Sequence, residues 1–209
     1  MNNSTWLEEL KKLNHLLSSF SFRDEMGGDV SFDEGFALWR RWTVELREKR
    51  RLCFLIGNGA SASMASHISA DLAKNAHVHT QVFSDLSLIT AMANDISYDA
   101  VYSEPLRRRG ALGDMLVAIS SSGRSENILN AVSVARELGM TVITLSAMSS
   151  ENPLRMGGSL NAYVPAETYG HAETCHAAIL HFWMDSVSLD GRKPLDDCLS
   201  RKLFAPNQS

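Results

Sequence analysis

The feature that most constrains the fold is the stretch from Leu52 to Ser63, whose sequence is LCFLIGNGASAS. Its apolar first half is typical of a strand at the centre of a parallel sheet, which is covered on both faces. Gly57 and Gly59 permit a tight turn, and a helix is predicted to follow. The free N–H groups and the positive dipole end of that helix favour an anion, above all a phosphate. The sequence therefore predicts a phosphate-binding turn after a buried strand.

Strand and helix patterns alternate along the rest of the chain. Further strands are predicted at 80–83, 114–119, 141–145 and 161–164, and helices at 61–75, 85–93, 97–109, 125–138 and 171–188. Gly139 is predicted to end the fourth of these helices at its C′ position. Such alternation predicts right-handed crossovers and a parallel sheet with helices on both faces. We expect a single domain over 1–209, a three-layer α/β/α sandwich with its core in 51–190 and a polar tail at 191–209.

Two amphipathic helices are predicted within residues 1–50, before the first strand. Their apolar residues follow helical spacing: Trp6, Leu10, Leu13, Leu17 and Phe20, then Phe32, Phe36, Trp39 and Leu46. Residues 24–30, which include Gly27 and Gly28, are predicted to break the two helices apart. The bundle-like spacing favours contacts between subunits. Cover of the sheet within the same chain is the alternative.

Composition excludes several classes of protein. A net charge of −4 gives no reason to expect a nucleic-acid partner. The sequence has no apolar run of membrane-spanning length, and its polar start is not typical of a signal peptide. The three cysteines, Cys53, Cys175 and Cys198, are far apart and odd in number, which favours free thiols in a reducing compartment. We therefore expect a cytoplasmic protein with no membrane partner.

A second turn of similar design lies between the strand at 114–119 and the helix that follows. It holds four hydroxyl side chains: Ser120, Ser121, Ser122 and Ser125. Each hydroxyl can donate a hydrogen bond to a phosphate oxygen, and the turn adds backbone N–H groups. A serine-rich turn is more often a local cap. Its position at the carboxyl end of a buried strand, where open α/β sheets bind ligands, favours a phosphate monoester.

The first turn also fits the dinucleotide pattern G-x-G-x-x-A, with Asp85 at a tolerable distance to be the ribose acid. A dinucleotide fold places one pyrophosphate on one glycine turn and needs no second, serine-rich turn. The dinucleotide-dependent oxidoreductase is therefore the third hypothesis.

The two turns together, GNGAS at 57–61 and ISSSGRSEN at 119–127, resemble the sugar isomerase (SIS) domain family. The resemblance extends over residues 4–188 and is nearest to the phosphoheptose isomerases. It implies a flavodoxin-like fold and a homotetramer with active sites shared between subunits. It also implies a phosphate site and a sugar pocket made of these residues: Asn58, Ser61, Asp95, Ser120, Ser121, Ser122 and Ser125.

Four more residues are expected to carry the chemistry. His67 and Asp71 lie four apart on one helix face, and Glu173 and His181 lie eight apart, about 12 Å along a helix. The family pattern has Glu at position 71 and Gln at position 173. Two imidazoles and two carboxylates suit Zn²⁺ or another divalent ion, with His176 as a rival ligand.

The resemblance implies aldose–ketose isomerisation of a sugar phosphate through an enediol, with sedoheptulose 7-phosphate as the first candidate substrate. Asp71 and His181 are the expected proton-transfer groups, and His67 and Glu173 the metal or orienting groups. An isomerase for another sugar phosphate is one alternative. A non-catalytic binding protein of the same fold, like relatives that associate with the bacterial replication initiator, is another, but the four polar groups favour an enzyme.

Overall fold

A computed structural model describes residues 5–191, with side chains described to residue 188. In this range the strands are β1 (Ser21–Asp24), β2 (Asp29–Val30), β3 (Leu52–Gly57), β4 (His79–Val82), β5 (Met115–Ser120), β6 (Thr141–Ala147) and β7 (Leu160–Val164). The helices are α1 (Trp6–Ser19), α2 (Phe32–Glu48), α3 (Ala60–Ala76), α4 (Leu86–Asp95), α5 (Ser103–Arg109), α6 (Glu126–Glu137) and α7 (Tyr169–Gly191). The predicted tail from residue 192 onwards, with Cys198, lies outside the described residues.

The strands form one sheet in the order β2-β1-β7-β6-β5-β3-β4. The five strands β3 to β7 are parallel to one another and follow the 2-1-3-4-5 order of flavodoxin-like folds. The chain reverses its winding direction between β3 and β5, where Gly57 is paired with Ile119. Such a reversal opens a crevice at the carboxyl ends of the strands. The predicted α/β class and flavodoxin-like sheet are confirmed.

The hairpin of β1 and β2 is a difference from the prediction, which placed only a break between helices there. β1 pairs antiparallel with β7 and extends the sheet. The hairpin turn is closed by Asp24, whose carboxylate accepts hydrogen bonds from the N–H groups of Met26 and Gly28 at 2.9 and 2.8 Å. Gly27 supplies the positive φ of 83° that the turn requires. Strands of four and two residues are too short to show a period in the sequence.

Alternate residues of the central strands enter two separate cores. Cys53 and Leu55 of β3 face the core beneath α1, α2, α3 and α7, whereas Phe54 and Ile56 face the core beneath α4, α5 and α6. A strand whose side chains are buried on both faces requires the continuous apolar run seen at 52–56. The predicted three layers are therefore present, and the helices position both turns at one edge of the sheet.

The helix α2 packs within its own chain. Its Trp39 stacks on Trp183 of α7 with ring centroids 4.2 Å apart. The Trp183 indole donates a hydrogen bond to the Thr43 hydroxyl at 3.0 Å. These contacts support intrachain cover, the alternative in the sequence analysis, for the inner face of α2. The helix α1 is mixed, because Leu13, Leu16 and Leu17 pack against the same core whereas Trp6 and Leu7 at its start are 74% and 61% exposed.

Some of the predicted helix boundaries are confirmed and others differ. Gly139 ends α6 as predicted, with a φ of 71°, and the Met140 N–H bonds to the Ala135 carbonyl at 3.0 Å. The predicted helix at 97–109 is divided into a 3₁₀ turn, Tyr98–Ala100, and α5. The 3₁₀ turn Pro153–Met156 was not predicted. Within residues 5–191, no helix combines the length and apolar character needed to cross a bilayer.

Candidate active site

The first turn connects the end of β3 to the start of α3. A Cβ on Gly57 would lie 2.6 Å from the backbone carbonyl carbon of Ser61, so only glycine lets the helix start this close to the strand. Gly59, at the N-cap, has a φ of 56° and offers no side chain to cap the helix. The turn therefore presents backbone and small side chains, rather than a bulky cap, to a bound anion.

The serine loop connects β5 to α6 and is shaped by Gly123. Its φ is 63°, and an added Cβ would lie 2.0 Å from the Asn152 side-chain oxygen. The Ser120 and Ser125 hydroxyl oxygens are 3.3 Å apart. Ser125 occupies the N-cap of α6, but its side chain makes no capping hydrogen bond. The Ser125 hydroxyl therefore does not cap α6, although the Ser122 hydroxyl accepts a hydrogen bond from the Arg124 N–H at 3.3 Å within the loop.

The two turns enclose a cavity of about 170 Å³ at the crevice between β3 and β5. Its lining combines small polar groups with one aromatic and one acidic residue: Asn58, Ser61, Ile119, Ser120, Ser121, Ser122, Ser125, Tyr169 and Glu173. Six of the seven residues predicted to bind the phosphate and sugar are in this lining. The hydroxyls and amide can all donate to an oxyanion. This geometry suits a phosphate monoester.

Asp95 is the seventh residue, and the lining of the cavity does not include it. It is the last residue of α4, is exposed, and accepts a hydrogen bond from the Asn94 amide at 2.9 Å. Tyr169, by contrast, was missed by the sequence analysis. Tyr169 lies four residues, about one helical turn, before Glu173, and this spacing places both residues on one face of the helix.

Asp85, the residue that a dinucleotide hypothesis requires, is occupied elsewhere. Its carboxylate caps α4 by accepting a hydrogen bond from the Leu88 N–H at 2.9 Å. The Ser87 hydroxyl also donates to it, and these bonds, the Ser87 one first, lower the pKa of Asp85. Capping of α4 therefore accounts for the Asp85 carboxylate without a role in binding a ribose.

A second cluster lies where α3 packs against α7. His67, Asp71 and His181 each offer a ligand atom, and these atoms all lie within 4.8 Å of one another. The His67 Nε2 atom is 3.5 Å from the Asp71 carboxylate oxygen. The His67 side chain is 58% exposed and that of Asp71 is 22% exposed, so solutes can reach the cluster. All three belong to one chain, so this cluster forms without the partner subunit that the implied sharing of active sites would supply.

The donor set of this cluster fits Zn²⁺. Zinc takes imidazole nitrogens and carboxylate oxygens at about 2.0–2.2 Å, which in a tetrahedron places neighbouring donors about 3.3–3.6 Å apart. The His67 and Asp71 donors, 3.5 Å apart, have that spacing, and the His181 donor lies within 4.8 Å of both. Three protein ligands also leave a fourth position open, as in catalytic zinc sites.

Two predicted metal ligands are not in this cluster. Glu173 lines the cavity beside the serine loop instead, because eight residues of regular helix separate it from His181 by about 12 Å. His176 is fully buried and its Nε2 atom contacts the Ser146 carbonyl at 3.1 Å. Burial lowers the pKa of His176 to about 4. The rival-ligand hypothesis for His176 is therefore wrong.

Three residues that the sequence analysis missed fix the first turn. Tyr102 donates a hydrogen bond to the Gly57 carbonyl, and burial, with a smaller effect of Tyr98, raises the pKa of Tyr102 to about 12. Tyr98 donates to the Asn58 side-chain oxygen at 3.4 Å. Asn127, in the first turn of α6, exchanges two hydrogen bonds with Asn58. These are contacts between segments distant in sequence, which periodicity does not show.

Comparisons with known proteins find relatives of this chain in sequence and in fold. A family model described as SIS domain matches residues 41–147. The phosphoheptose isomerase of Coxiella burnetii is 35% identical over 139 residues, which are 63% of this chain and 70% of that relative. Phosphoheptose isomerase from Neisseria gonorrhoeae superposes with a TM-score of 0.73 at 24% identity, over 87% of this chain and 96% of that chain. The corresponding protein from Francisella tularensis gives a TM-score of 0.74 at 22% identity, over 89% of this chain and 100% of that chain.

Proposed function

Because this chain belongs to the SIS domain family, we propose that it is an aldose–ketose isomerase of a sugar phosphate. Sedoheptulose 7-phosphate is the proposed substrate and D-glycero-D-manno-heptose 7-phosphate the product, in line with the relatives named phosphoheptose isomerase. The observation that carries the proposal is the pairing of a hydroxyl-lined cavity with a separate acid–base cluster. A binding protein requires the first of these but not the second.

The helix α7 links the two parts of the site. Glu173 lines the cavity, and His181 lies two turns further along the same helix, about 12 Å away. This arrangement fits an open-chain sugar that carries its phosphate at one end and its carbonyl at the other. Phosphate held by the two turns would set the distance at which carbons 1 and 2 meet the acid–base groups.

The proposed reaction moves one proton between neighbouring carbons. A base removes a proton from carbon 1 of the ketose, and the electron pair of that bond forms the carbon–carbon double bond of an enediol. The proton of the carbon 1 hydroxyl is lost as that oxygen becomes the new carbonyl, the former carbonyl oxygen is protonated, and carbon 2 receives a proton. We assign Asp71 and His181 as the proton-transfer groups, His67 as a metal or orienting group, and Glu173 as an orienting group.

The same cluster is the proposed zinc site. His67, Asp71 and His181 would hold the ion, and Glu173 is proposed as a group of the cavity rather than as a fourth ligand. A bound Zn²⁺ supplies Lewis-acid polarisation of a substrate oxygen. A lone pair that holds a metal cannot accept a proton at the same time. Metal binding and proton transfer therefore compete for the same atoms of Asp71 and His181. Activity measured with and without a chelator distinguishes the two roles.

We further propose a homotetramer in the cytoplasm. The apolar residues Trp6, Leu7 and Leu10 on α1 are 74%, 61% and 43% exposed, and a second copy of the chain would cover them. Cys53 and Cys175 are free and buried, and burial raises the pKa of both thiols. Thiols in this state suit a reducing compartment.

The proposal is tested by incubating the full chain with sedoheptulose 7-phosphate and a panel of other ketose phosphates. Each reaction is run with and without a chelator and followed by NMR of the anomeric protons. We expect conversion of the heptose phosphate. Conversion of a different ketose phosphate alone would correct the substrate, and no conversion of any would favour the non-catalytic binding protein.

A further inference from the structure

The two phosphate-binding turns are joined by a reciprocal pair of amides. The Asn58 amide donates to the Asn127 side-chain oxygen at 2.9 Å, and the Asn127 amide donates to the Asn58 side-chain oxygen at 3.0 Å. Asn58 belongs to the turn between β3 and α3, and Asn127 to the first turn of α6. The pair therefore bridges the crevice floor between the two halves of the site.

The environments of the two residues differ. Asn127 is 2% exposed, and Asn58 is the partner of both its amide group and its side-chain oxygen. Asn58 is only half-buried and lines the cavity. An amide nitrogen has two protons, so donation to Asn127 leaves Asn58 with a second proton for a ligand. Tyr98 adds a further hydrogen bond to the Asn58 side-chain oxygen at 3.4 Å.

These contacts hold the Asn58 amide in its orientation. If the Asn58 amide alone turned over, its oxygen would meet the Asn127 oxygen and its nitrogen the Asn127 nitrogen, so both hydrogen bonds between the two residues would be lost. An amide oxygen directed at a phosphate would repel it, whereas the N–H group attracts it. A buried partner such as Asn127 can thus keep the Asn58 N–H donor in its binding orientation before the ligand arrives.

We infer that Asn127 is a positioning residue of the anion site, which acts on a bound phosphate through Asn58. The inference rests on the proposed function, because it presumes that the cavity takes a phosphate. Asn127 does not line the cavity, so its effect on the ligand is indirect. It also holds the first turn of α6, which carries Ser125 at its N-cap, in register with the turn after β3.

The experiment measures binding of inorganic phosphate to the full chain by isothermal titration calorimetry. Asn127→Leu removes both hydrogen bonds at similar volume and is expected to weaken phosphate binding about three- to tenfold, the effect of one neutral hydrogen bond. Asn130→Leu is the matched control, because Asn130 lies one turn along the same helix and donates to the Asp99 carbonyl outside the cavity. The control is expected to bind like the wild type.

A double-mutant cycle separates positioning from general loss of structure. Asn58→Ala is expected to weaken phosphate binding, and adding Asn127→Leu to it should change the Kd less than twofold, because the group through which Asn127 acts is gone. The KM for the sugar phosphate should rise in Asn127→Leu while kcat stays within about twofold. Should Asn127→Leu fail to fold, Asn127→Ala adds no bulk and serves in the same cycle.

The outcomes distinguish the two proposals. If the folded Asn127 variants bind phosphate with the same Kd as the wild type, the positioning role is overturned and the proposed function is not. Additive effects of the Asn58 and Asn127 substitutions would overturn it as well, because independent contributions mean that Asn127 does not act through Asn58. A wild-type chain that binds neither phosphate nor any sugar phosphate would overturn the proposed function together with this inference.

Discussion

His181 of α7 faces His67 of α3, with ring centroids 5.3 Å apart and ring planes inclined by 60°. The helix that carries His67 and Asp71 begins at the glycine turn, and the helix that carries His181 begins at the cavity wall. Each half of the His67–Asp71–His181 cluster is thus joined to the serine-lined cavity by a continuous helix. A shift of α3 against α7 would change both the cluster and its distance from that cavity.

Replacement of His181 by Gln is expected to reduce turnover strongly and leave phosphate binding intact. The amide has nearly the reach of the imidazole but cannot take and return a proton, so kcat should fall by about 10²- to 10⁴-fold. Turnover and the Kd of inorganic phosphate are measured on the same preparation. His79→Gln, an exposed histidine of β4, is the control. Full activity of His181→Gln would remove His181 from the mechanism.

Replacement of Asp71 by Asn is expected to weaken zinc binding, because an amide oxygen is a poorer ligand than a carboxylate. The loss should exceed the roughly 10- to 100-fold effect of removing an outer-shell partner. Zinc affinity is measured by competition with a chromophoric chelator, which needs no activity. Asp185→Asn, an exposed change one turn after His181, is the matched control. Equal zinc affinity of Asp71→Asn and the wild type would remove Asp71 from the proposed zinc ligands.

The central strands and both turns were predictable because their causes are local. Leu52 to Ile56 must be apolar to be buried on both sides, and the glycine turn follows from residues next to it. The distance of about 12 Å between Glu173 and His181 was also predictable, but only the structure shows that the helix between them is regular, so that the two residues lie in different parts of the site. The Asn58–Asn127 pair was not predictable from periodicity, since 69 residues separate its members and either amide alone suits a turn.

The N-terminal helices show a similar limit. The spacing of Phe36 and Trp39 predicts a buried face correctly, but an apolar face does not specify its partner. In the structure that partner is α7 and the edge of the sheet. The first turns of α1 remain uncovered in the single chain.

Replacement of Gly123 by Ala is expected to destabilise the protein and to disturb the serine loop. The new Cβ would meet the Asn152 side chain, and the φ of 63° is a left-handed conformation that alanine adopts only with strain. The free energy of unfolding should fall by about 1–3 kcal/mol, measured by urea denaturation. Gly170→Ala is the matched control, because its Cβ meets no atom within 4 Å and its φ is ordinary. A Gly123→Ala loss no larger than that of the control would contradict the role of this glycine.

The buried His176 predicts a loss of stability in mild acid. Because burial lowers its pKa to about 4 in the folded chain, against about 6.5 when unfolded, the unfolded state binds more protons as the pH falls. Stability from this group is complete above pH 6.5 and is lost progressively down to pH 4. Between pH 7 and pH 5 the loss is about 2 kcal/mol.

The measurement is urea denaturation at pH 7 and pH 5 of the wild type and His176→Leu. Between pH 7 and pH 5, the free energy of unfolding of His176→Leu is expected to fall by about 2 kcal/mol less than that of the wild type, whatever the absolute stability of the variant. His15→Gln, at an exposed position of α1, should retain the full wild-type dependence. An unchanged pH dependence in His176→Leu would assign the acid sensitivity to other groups.

Replacement of Leu10 by Glu is expected to weaken the proposed tetramer. Leu10 is 43% exposed beside Trp6 and Leu7, and a carboxylate buried in an apolar contact between copies is strongly unfavourable. Light scattering coupled to size exclusion should give about four times the 23.1 kDa chain mass for the wild type and a smaller species for the variant. Lys11→Glu, an exposed change at the next position, introduces a carboxylate away from this apolar group and should leave the mass unchanged. A wild type that is monomeric at micromolar concentration would contradict the tetramer, and the active site would then have to function within one chain.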